Sequence, residues 1–233
     1  MRVALVSDIH GNLPALEAVL ARIQELKPDK TLCLGDTVGY GPFPDECVSI
    51  VREKCAVVLQ GNHDSGLIGE TDLADFNRYG VQAILWSRDK LSKENLEFLH
   101  TLPLSSEFNG FTIAHSSPLK PERWTYVMSV ASAKENFTGF KTRLCFIGHT
   151  HVPVVIGEDL RVNQYNPTGR FIINVGSVGQ PRDGNHMAAF GLYDSDRNTY
   201  ELVRVEYNNA KTAAAIKDAG LPDFLGKRLL QGI

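Results

Sequence analysis

Short apolar runs in this chain stop, one after another, at side chains that can bind a metal ion. Residues 3–6 run into Ser7-Asp8-Ile9-His10-Gly11-Asn12, residues 31–34 into Gly35-Asp36, and residues 56–59 into Gly61-Asn62-His63-Asp64. Residues 111–114 run into His115, and residues 144–147 into Gly148-His149-Thr150-His151. Continuous apolar runs this short read as strands buried on both faces. In an open α/β sheet the site lies at the carboxyl ends of such strands, so these polar clusters are expected to converge. Of 7 histidines, only His100 and His186 lie outside them. Any one of these histidines has an ordinary structural explanation, but their joint placement does not.

The segments between the runs fix the fold class as α/β. Leu16, Val19, Leu20 and Ile23 form one apolar stripe at helical spacing, which predicts a helix over 13–26 with Pro14 in its first turn and Asn12 as its cap. Residues 44–54 repeat the pattern, with Cys47, Val48 and Val51 inward. Strand, helix and strand in this order predict a right-handed, mostly parallel arrangement. Residues 66–105 are a helical excursion, with helices expected over 72–86 and, capped by Ser92, over 92–99. Another helical stretch is expected near 130–137. Beyond His151 the strands shorten (154–156, 170–174, 188–193, 200–206) and alternate with turns such as Asn166-Pro167-Thr168-Gly169, which predicts antiparallel connections. The tail, 207–233, is helical with a break at Gly220-Leu221-Pro222. With no internal repeat and no linker, one domain over 1–233 is the expectation.

Bulk properties exclude several functions. A net charge of −3 leaves no general nucleic-acid footprint. No apolar run approaches the ~20 residues of a membrane helix, and residues 1–4 lack the layout of a cleavable signal. The 4 cysteines form no Cys-x-x-Cys pair and sit in or beside apolar patterns, as buried free thiols of a cytoplasmic protein would.

Asp8, His10, Asp36, Asn62, His115, His149 and His151 offer more donors than one tetrahedral zinc can use. They suit two metals sharing one carboxylate and one water or hydroxide. Such a pair, roughly 3.5–4 Å apart, clamps the attacking and leaving oxygens of a phosphoryl transfer and lowers the pKa of bound water towards ~7. Two aspartates leave two divalent ions net positive, so the site draws an anion although the chain is mildly acidic. The mixed nitrogen and oxygen donors fit Mn, Fe, Zn or Ni without selecting among them.

In order and spacing these clusters resemble the five sequence blocks of the calcineurin-like metallophosphoesterases across residues 1–151. The stretch Asn174-Val175-Gly176-Ser177-Val178-Gly179-Gln180-Pro181-Arg182 and the helical tail resemble the small bacterial and archaeal members, often described as phosphodiesterases or serine/threonine phosphatases. The resemblance implies a four-layer α-β-β-α sandwich of two mixed sheets. It implies that Asp8, His10 and His151 hold one metal, that Asn62, His115 and His149 hold the other, and that Asp36 bridges them. It also implies that a metal-bridging hydroxide attacks the phosphorus of a small phosphodiester or phosphomonoester, and that the catalytic His63 protonates the leaving oxygen or binds the phosphate.

Three departures and choices stand beside that pattern. Eukaryotic-type protein phosphatases carry Asp-Arg-Gly where this chain has Gly39-Tyr40-Gly41, which removes a phosphate-binding arginine and the carboxylate that orients the catalytic histidine. Asp64 is the alternative orienting group. His115 is followed by Ser116 where relatives often have glycine, a change that bears on the pocket rather than on the imidazole. Asn12 reads both as a helix cap and as a phosphate contact, and Arg182 both as a substrate contact and as a surface residue. Tyr40, Trp124 and Tyr126 are candidate pocket walls, while Lys120 and Arg123 read as solvated. The rival functions are a scaffold that keeps the fold without catalysis, a protein phosphatase and a dinucleoside polyphosphate hydrolase.

Overall fold

Along β1 (Arg2–Val6) the apolar side chains alternate between two destinations. Ala4 and Val6 join Leu16, Val19 and Ile23 in one cluster, whereas Val3 and Leu5 join Phe111, Phe146 and Ile173 in another. Successive side chains of a strand point to opposite faces. The uninterrupted run therefore marks a strand with a helix layer on one side and a second sheet on the other.

The computed structural model describes residues 1–233. In chain order its first half comprises β1, α1 (Leu13–Leu26), β2 (Lys30–Cys33), α2 (Pro44–Lys54), β3 (Val57–Val58), α3 (Asn62–Ile68), α4 (Arg78–Arg88), α5 (Lys93–Leu99), β4 (Ser105–Phe108) and β5 (Phe111–Ala114). Then follow α6 (Val130–Asn136), β6 (Leu144–Ile147), β7 (Val154–Gly157), β8 (Phe171–Asn174), β9 (Ala188–Asp194), β10 (Thr199–Val205), α7 (Asn209–Asp218) and α8 (Asp223–Leu229). One sheet has the order β10-β9-β1-β2-β3 and the other β4-β5-β6-β8-β7. Both are mixed: β1, β2 and β3 are parallel, as are β5, β6 and β8, and the remaining pairs are antiparallel. Val3, Leu5, Leu32 and Leu34 meet Phe111, Ile113, Phe146 and Phe171 between the sheets. Cys145, Ile147 and Ile172 face Ala133 of α6 and Phe137 on the outer side. The layers are thus α-β-β-α, and the expected fold is the observed one.

Local differences from the sequence expectations have physical causes. The helix expected over 72–86 is split. Asp72 caps a short turn at Leu73–Asp75, and Asn77 then starts α4 by accepting from Tyr79 and Gly80 N–H at 3.0 and 3.1 Å. Asn62 and His63, expected in a strand-end turn, open α3, where the Asp64 carboxylate accepts from the Gly61 N–H at 3.0 Å. β4 was not expected because Ser105-Ser106-Glu107 lacks apolar residues. It is an edge strand joined to β5 through Asn109-Gly110, both at positive φ (44° and 82°), as a two-residue hairpin requires. The four cysteines are free, three of them buried. No helix is long and apolar enough to cross a membrane.

The two sheets are tied at the ends where the ligand candidates sit. Asn174 Nδ2 donates to Gly148 O at 2.5 Å and Thr150 Oγ1 at 2.9 Å, and its Oδ1 accepts from Gly176 N–H at 2.9 Å. Val178 and Gly179 N–H donate to Ser7 and Asp8 carbonyls, both at 2.9 Å. Asn174→Ala leaves buried backbone groups unpaired and is expected to cost about 2–3 kcal/mol in denaturant unfolding. A loss under about half a kcal/mol on that scale would show that this side chain does not hold the loop.

Candidate metal centre

The ends of β1, β2 and β6 turn sharply. Asp8, His10, Asp36, His149 and His151 all adopt left-handed backbone, with φ of 54°, 50°, 53°, 66° and 60°. Such conformations are unfavourable for L-residues and persist where the surroundings over-determine them. Here the Asp8 and His10 N–H groups donate to Gly35 and Asp36 carbonyls at 3.0 and 2.9 Å, and Gly148 N–H to His115 O at 2.9 Å.

The side chains form two buried groups that share Asp36: Asp8, His10, Asp36 and His151, and Asp36, His115 and His149. Asp36 Oδ2 lies 3.5 Å from both His10 Nε2 and His115 Nε2. Asp8 Oδ1 lies 3.2 Å from His151 Nε2. Each imidazole directs one nitrogen at a backbone carbonyl: His10 Nδ1 at Val38 (3.0 Å), His115 Nδ1 at Leu34 (2.9 Å), His151 Nδ1 at Gln180 (2.6 Å) and His149 Nε2 at Trp124 (2.8 Å). A carbonyl only accepts, so these nitrogens carry the protons. The other nitrogens face inward, with His10 Nε2 3.1 Å from His151 Nε2 and His115 Nε2 3.2 Å from His149 Nδ1.

Burial, opposed by Asp36, holds His10 well below its ordinary range, and burial with the nearby Arg182 charge lowers His151. Both rings are therefore neutral, and two bare lone pairs meet across 3.1 Å. That is a repulsive contact without a cation between them. Burial also resists charge on His115, but Asp36 and Asp8 outweigh it and raise the imidazole to about 9. Burial would raise the Asp8 and Asp36 carboxyls too, yet the charged His115, which faces both, holds them below the carboxylate range. Ionised carboxylates, inward lone pairs and a demand for positive charge fit divalent ions. Asn62 fits as well, because its Oδ1 is buried without a hydrogen-bond partner and beside His149 it lines a cleft of about 520 Å³. Phe76, Trp124 and Tyr126 wall that cleft, together with Glu70, Asp72, Asp75 and Glu122. Tyr126 stacks on His149 at 4.1 Å.

His63 stands beside the centre rather than in it. Its ring packs against Tyr40 (4.5 Å), His10 (4.8 Å) and Phe76 (5.2 Å), and its Nδ1 is buried without a partner. Burial, opposed by Asp36, lowers it to about 4. Gly39, at φ 86°, is required here, since a Cβ would strike the His63 ring. Asp64 does not orient His63. Its carboxylate accepts from Thr37, Val38 and Gly61 N–H at 3.0, 3.1 and 3.0 Å, and burial with the Asp36 charge pushes it to about 7.

Of the two readings of Asn12, the structure places it in the first. Oδ1 accepts from Ala15 N–H (3.3 Å) and Thr212 Oγ1 (2.9 Å), while Nδ2 donates to Gly179 O (2.8 Å) and Tyr207 OH (3.2 Å). No N–H remains for a phosphate. Arg182 lies at the rim, held by Gln180 Oε1, with its Cζ 5.9 Å from the Tyr40 ring. His100 and His186 are exposed and remote from the centre. Sequence reasoning missed Arg228, whose Cζ lies 6.0 Å from the same tyrosine. No local motif marks it.

Comparison with known proteins gives this geometry a class. A family profile described as calcineurin-like phosphoesterase matches residues 1–153. The chain belongs to that family, and its chemistry is that of a phosphoric ester hydrolase with a divalent metal centre. A crystal structure of a metallophosphoesterase from Sphaerobacter thermophilus is 41% identical, with a TM-score of 0.90 over 100% of this chain and 99% of that one. The uncharacterized protein MJ0912 of Methanocaldococcus jannaschii is 39% identical over 241 residues, 99% of this chain and 98% of the relative. The phosphodiesterase YfcE of Escherichia coli K12 is 26% identical over 207 residues, 84% of this chain and 89% of the relative.

Gly148 packs against the Ser7 side chain, and a Cβ there would come within 2.5 Å of Asp8 Oδ2. Gly148→Ala is expected to weaken metal binding about tenfold, the scale of a disturbed supporting shell, in calorimetric titration with Mn²⁺. An unchanged affinity would count against Asp8 as a ligand.

Proposed function

We propose that the protein is a dinuclear-metal-dependent hydrolase of small phosphodiesters or phosphomonoesters. The observation that carries this is Asp36, whose Oδ2 stands 3.5 Å from an imidazole of each donor group. Asp8, His10 and His151 would hold one ion, Asn62, His115 and His149 the second, with Asp36 between them. When bound, two such ions polarise the phosphoryl oxygens and make hydroxide available near neutral pH; Mn, Fe, Zn and Ni all suit this donor set. The phosphodiesterase name of the Escherichia coli relative supports diesters among the substrates.

The chain's own residues do the rest. The carbonyls of Val38, Leu34, Gln180 and Trp124 keep the imidazoles in the ligating tautomer. Tyr40 and Phe76 clamp the His63 ring, and Asp36 Oδ1 accepts from the main-chain N–H of His63 at 2.8 Å. Burial leaves the free ring neutral near neutral pH, so there it steadies a phosphoryl oxygen, and it passes a proton to the leaving oxygen only as an anionic substrate beside it favours the charged ring. The cleft beyond Asn62 and His149 receives the leaving group. Gly39-Tyr40-Gly41 brings an aromatic face to His63 where protein phosphatases bring an arginine, which disfavours that reading.

Metal content and turnover test the proposal together. Protein reconstituted with Mn²⁺ is expected to bind two ions per chain and to hydrolyse bis(p-nitrophenyl) phosphate or p-nitrophenyl phosphate. Less than one ion per chain with neither ester cleaved would instead support a scaffold. Asp36→Asn is expected to lose metal and activity together, because one carboxylate serves both groups. His63→Asn is expected to keep its metals while turnover falls about 10²-fold or more, the contribution of a positioned acid, most steeply for poor leaving groups. An unchanged rate on an alkyl ester would remove the acid role.

A further inference from the structure

Two guanidiniums flank Tyr40 at the mouth of the metal centre. The Arg182 and Arg228 Cζ atoms lie 5.9 and 6.0 Å from the Tyr40 ring centroid, and that ring lies 4.5 Å from His63 and 4.7 Å from His10. Neither arginine pairs with an Asp or Glu side chain, a state they share with Arg2, Arg78, Arg88, Arg123 and Arg143 but not with the six arginines in ion pairs. Each is held from behind. Gln180 Oε1 accepts from Arg182 Nε and Nη2 at 3.3 and 2.8 Å, and the Ile233 main-chain oxygen accepts from Arg228 Nε at 2.5 Å. The Nη groups of Arg228 have no acceptor in the protein.

The fold keeps these charges together against their repulsion. Leu225 and Leu229 of α8 pack in one buried cluster with Tyr40, Ala83 and Ile216, which carries Arg228 to the site. Burial, then the Arg182 charge, brings Arg228 down to about 10, so it stays charged at neutral pH. Two adjacent guanidiniums with free N–H groups match a phosphate, which accepts in their forked geometry. The phosphoryl group undergoing attack already has the metal centre and His63. Arg228 stands across the Tyr40 ring, and Arg182, near enough for its charge to lower His151, lies between it and the metal centre.

We infer that Arg182 and Arg228 form a subsite for a second phosphate, so that the preferred substrates carry two phosphoryl groups and only one of them is cleaved at the metals. This rests on the phosphoesterase reading above. The test uses the Mn²⁺-loaded full chain with methylenediphosphonate, phosphonoacetate and orthophosphate as probes, by calorimetry and by competition against bis(p-nitrophenyl) phosphate. Arg228→Gln is expected to weaken methylenediphosphonate about tenfold, the scale of one lost charge-assisted contact, and orthophosphate under about threefold. Arg182→Gln gives the same selective loss, and Arg228→Lys retains part of the preference.

Equal losses for methylenediphosphonate and orthophosphate, or none, in folded, metal-replete variants would overturn the subsite. Phosphonoacetate losing as much as methylenediphosphonate would overturn its assignment to phosphate. Calorimetry reads binding without turnover. A protein that cleaves neither ester yet shows the selective loss would therefore overturn the phosphoesterase reading and leave the anion subsite standing.

Discussion

The centre depends on four backbone carbonyls. Val38, Leu34, Gln180 and Trp124 each accept from an imidazole, and that decides which nitrogen of the ring is bare and where it points. A side-chain partner would rotate with its own rotamer, whereas a carbonyl moves only with its loop. The four come from three loops. Leu34 and Val38 flank Asp36 after β2, Trp124 lies between β5 and α6, and Gln180 follows β8. Ligand orientation is therefore a property of how both sheets and their loops pack, and a metal ion meets lone pairs already aimed at it.

The same arrangement explains the unusual backbone. His115 follows β5 without such a turn, but the ends of β1, β2 and β6 depart from extended conformation. The left-handed turn at Asp8, His10, Asp36, His149 and His151 reverses the chain at once and brings the side chain back over the strand end. Each such residue costs on the order of 1–2 kcal/mol. Cross-loop hydrogen bonds hold the cost in place, and the large apolar layers on either side of both sheets offset it. Binding of divalent ions would relieve the remaining electrostatic mismatch, since paired lone pairs and carboxylates favour the occupied form over the unfolded chain.

What could be read from the sequence follows from this construction. The histidines and aspartates were legible because each directly follows an apolar run, and strand ends in such sheets face one crevice. The alternation between sheets was legible in residues 3–6 because both faces are buried. Asn62 was legible as a donor but not as the start of a helix, since Gly61 supplies no side-chain cap and the helix is held by Asp64. That same contact misled the reading of Asp64. Adjacency to His63 suggested an orienting carboxylate, but one residue along a helix is about 100° around it, and Asp64 turns to the backbone of the neighbouring loop. β4 was obscured by its polar residues, although Asn109-Gly110 is a hairpin signal. Arg228 had no local signature at all, because only the packing of α8 onto Tyr40 brings it to the site.

The charges around the centre are not evenly placed, and this bears on how a substrate lies. On the Asn62 and His149 side the cleft presents Glu70, Asp72, Asp75 and Glu122 against a single Arg123. On the Tyr40 side stand Arg182 and Arg228, neither of them paired with an Asp or Glu side chain. Glu70, Asp72, Asp75 and Glu122 are exposed and screened by solvent, whereas Arg182 and Arg228 are half-buried and less so. A substrate with one strongly anionic end gains from placing it over Tyr40 and loses by placing it in the cleft. The neutral or cationic end then faces the aromatic walls of Phe76, Trp124 and Tyr126, beside the second donor group. The polarity of the substrate, more than its shape, would thus set which ester bond lies over Asp36.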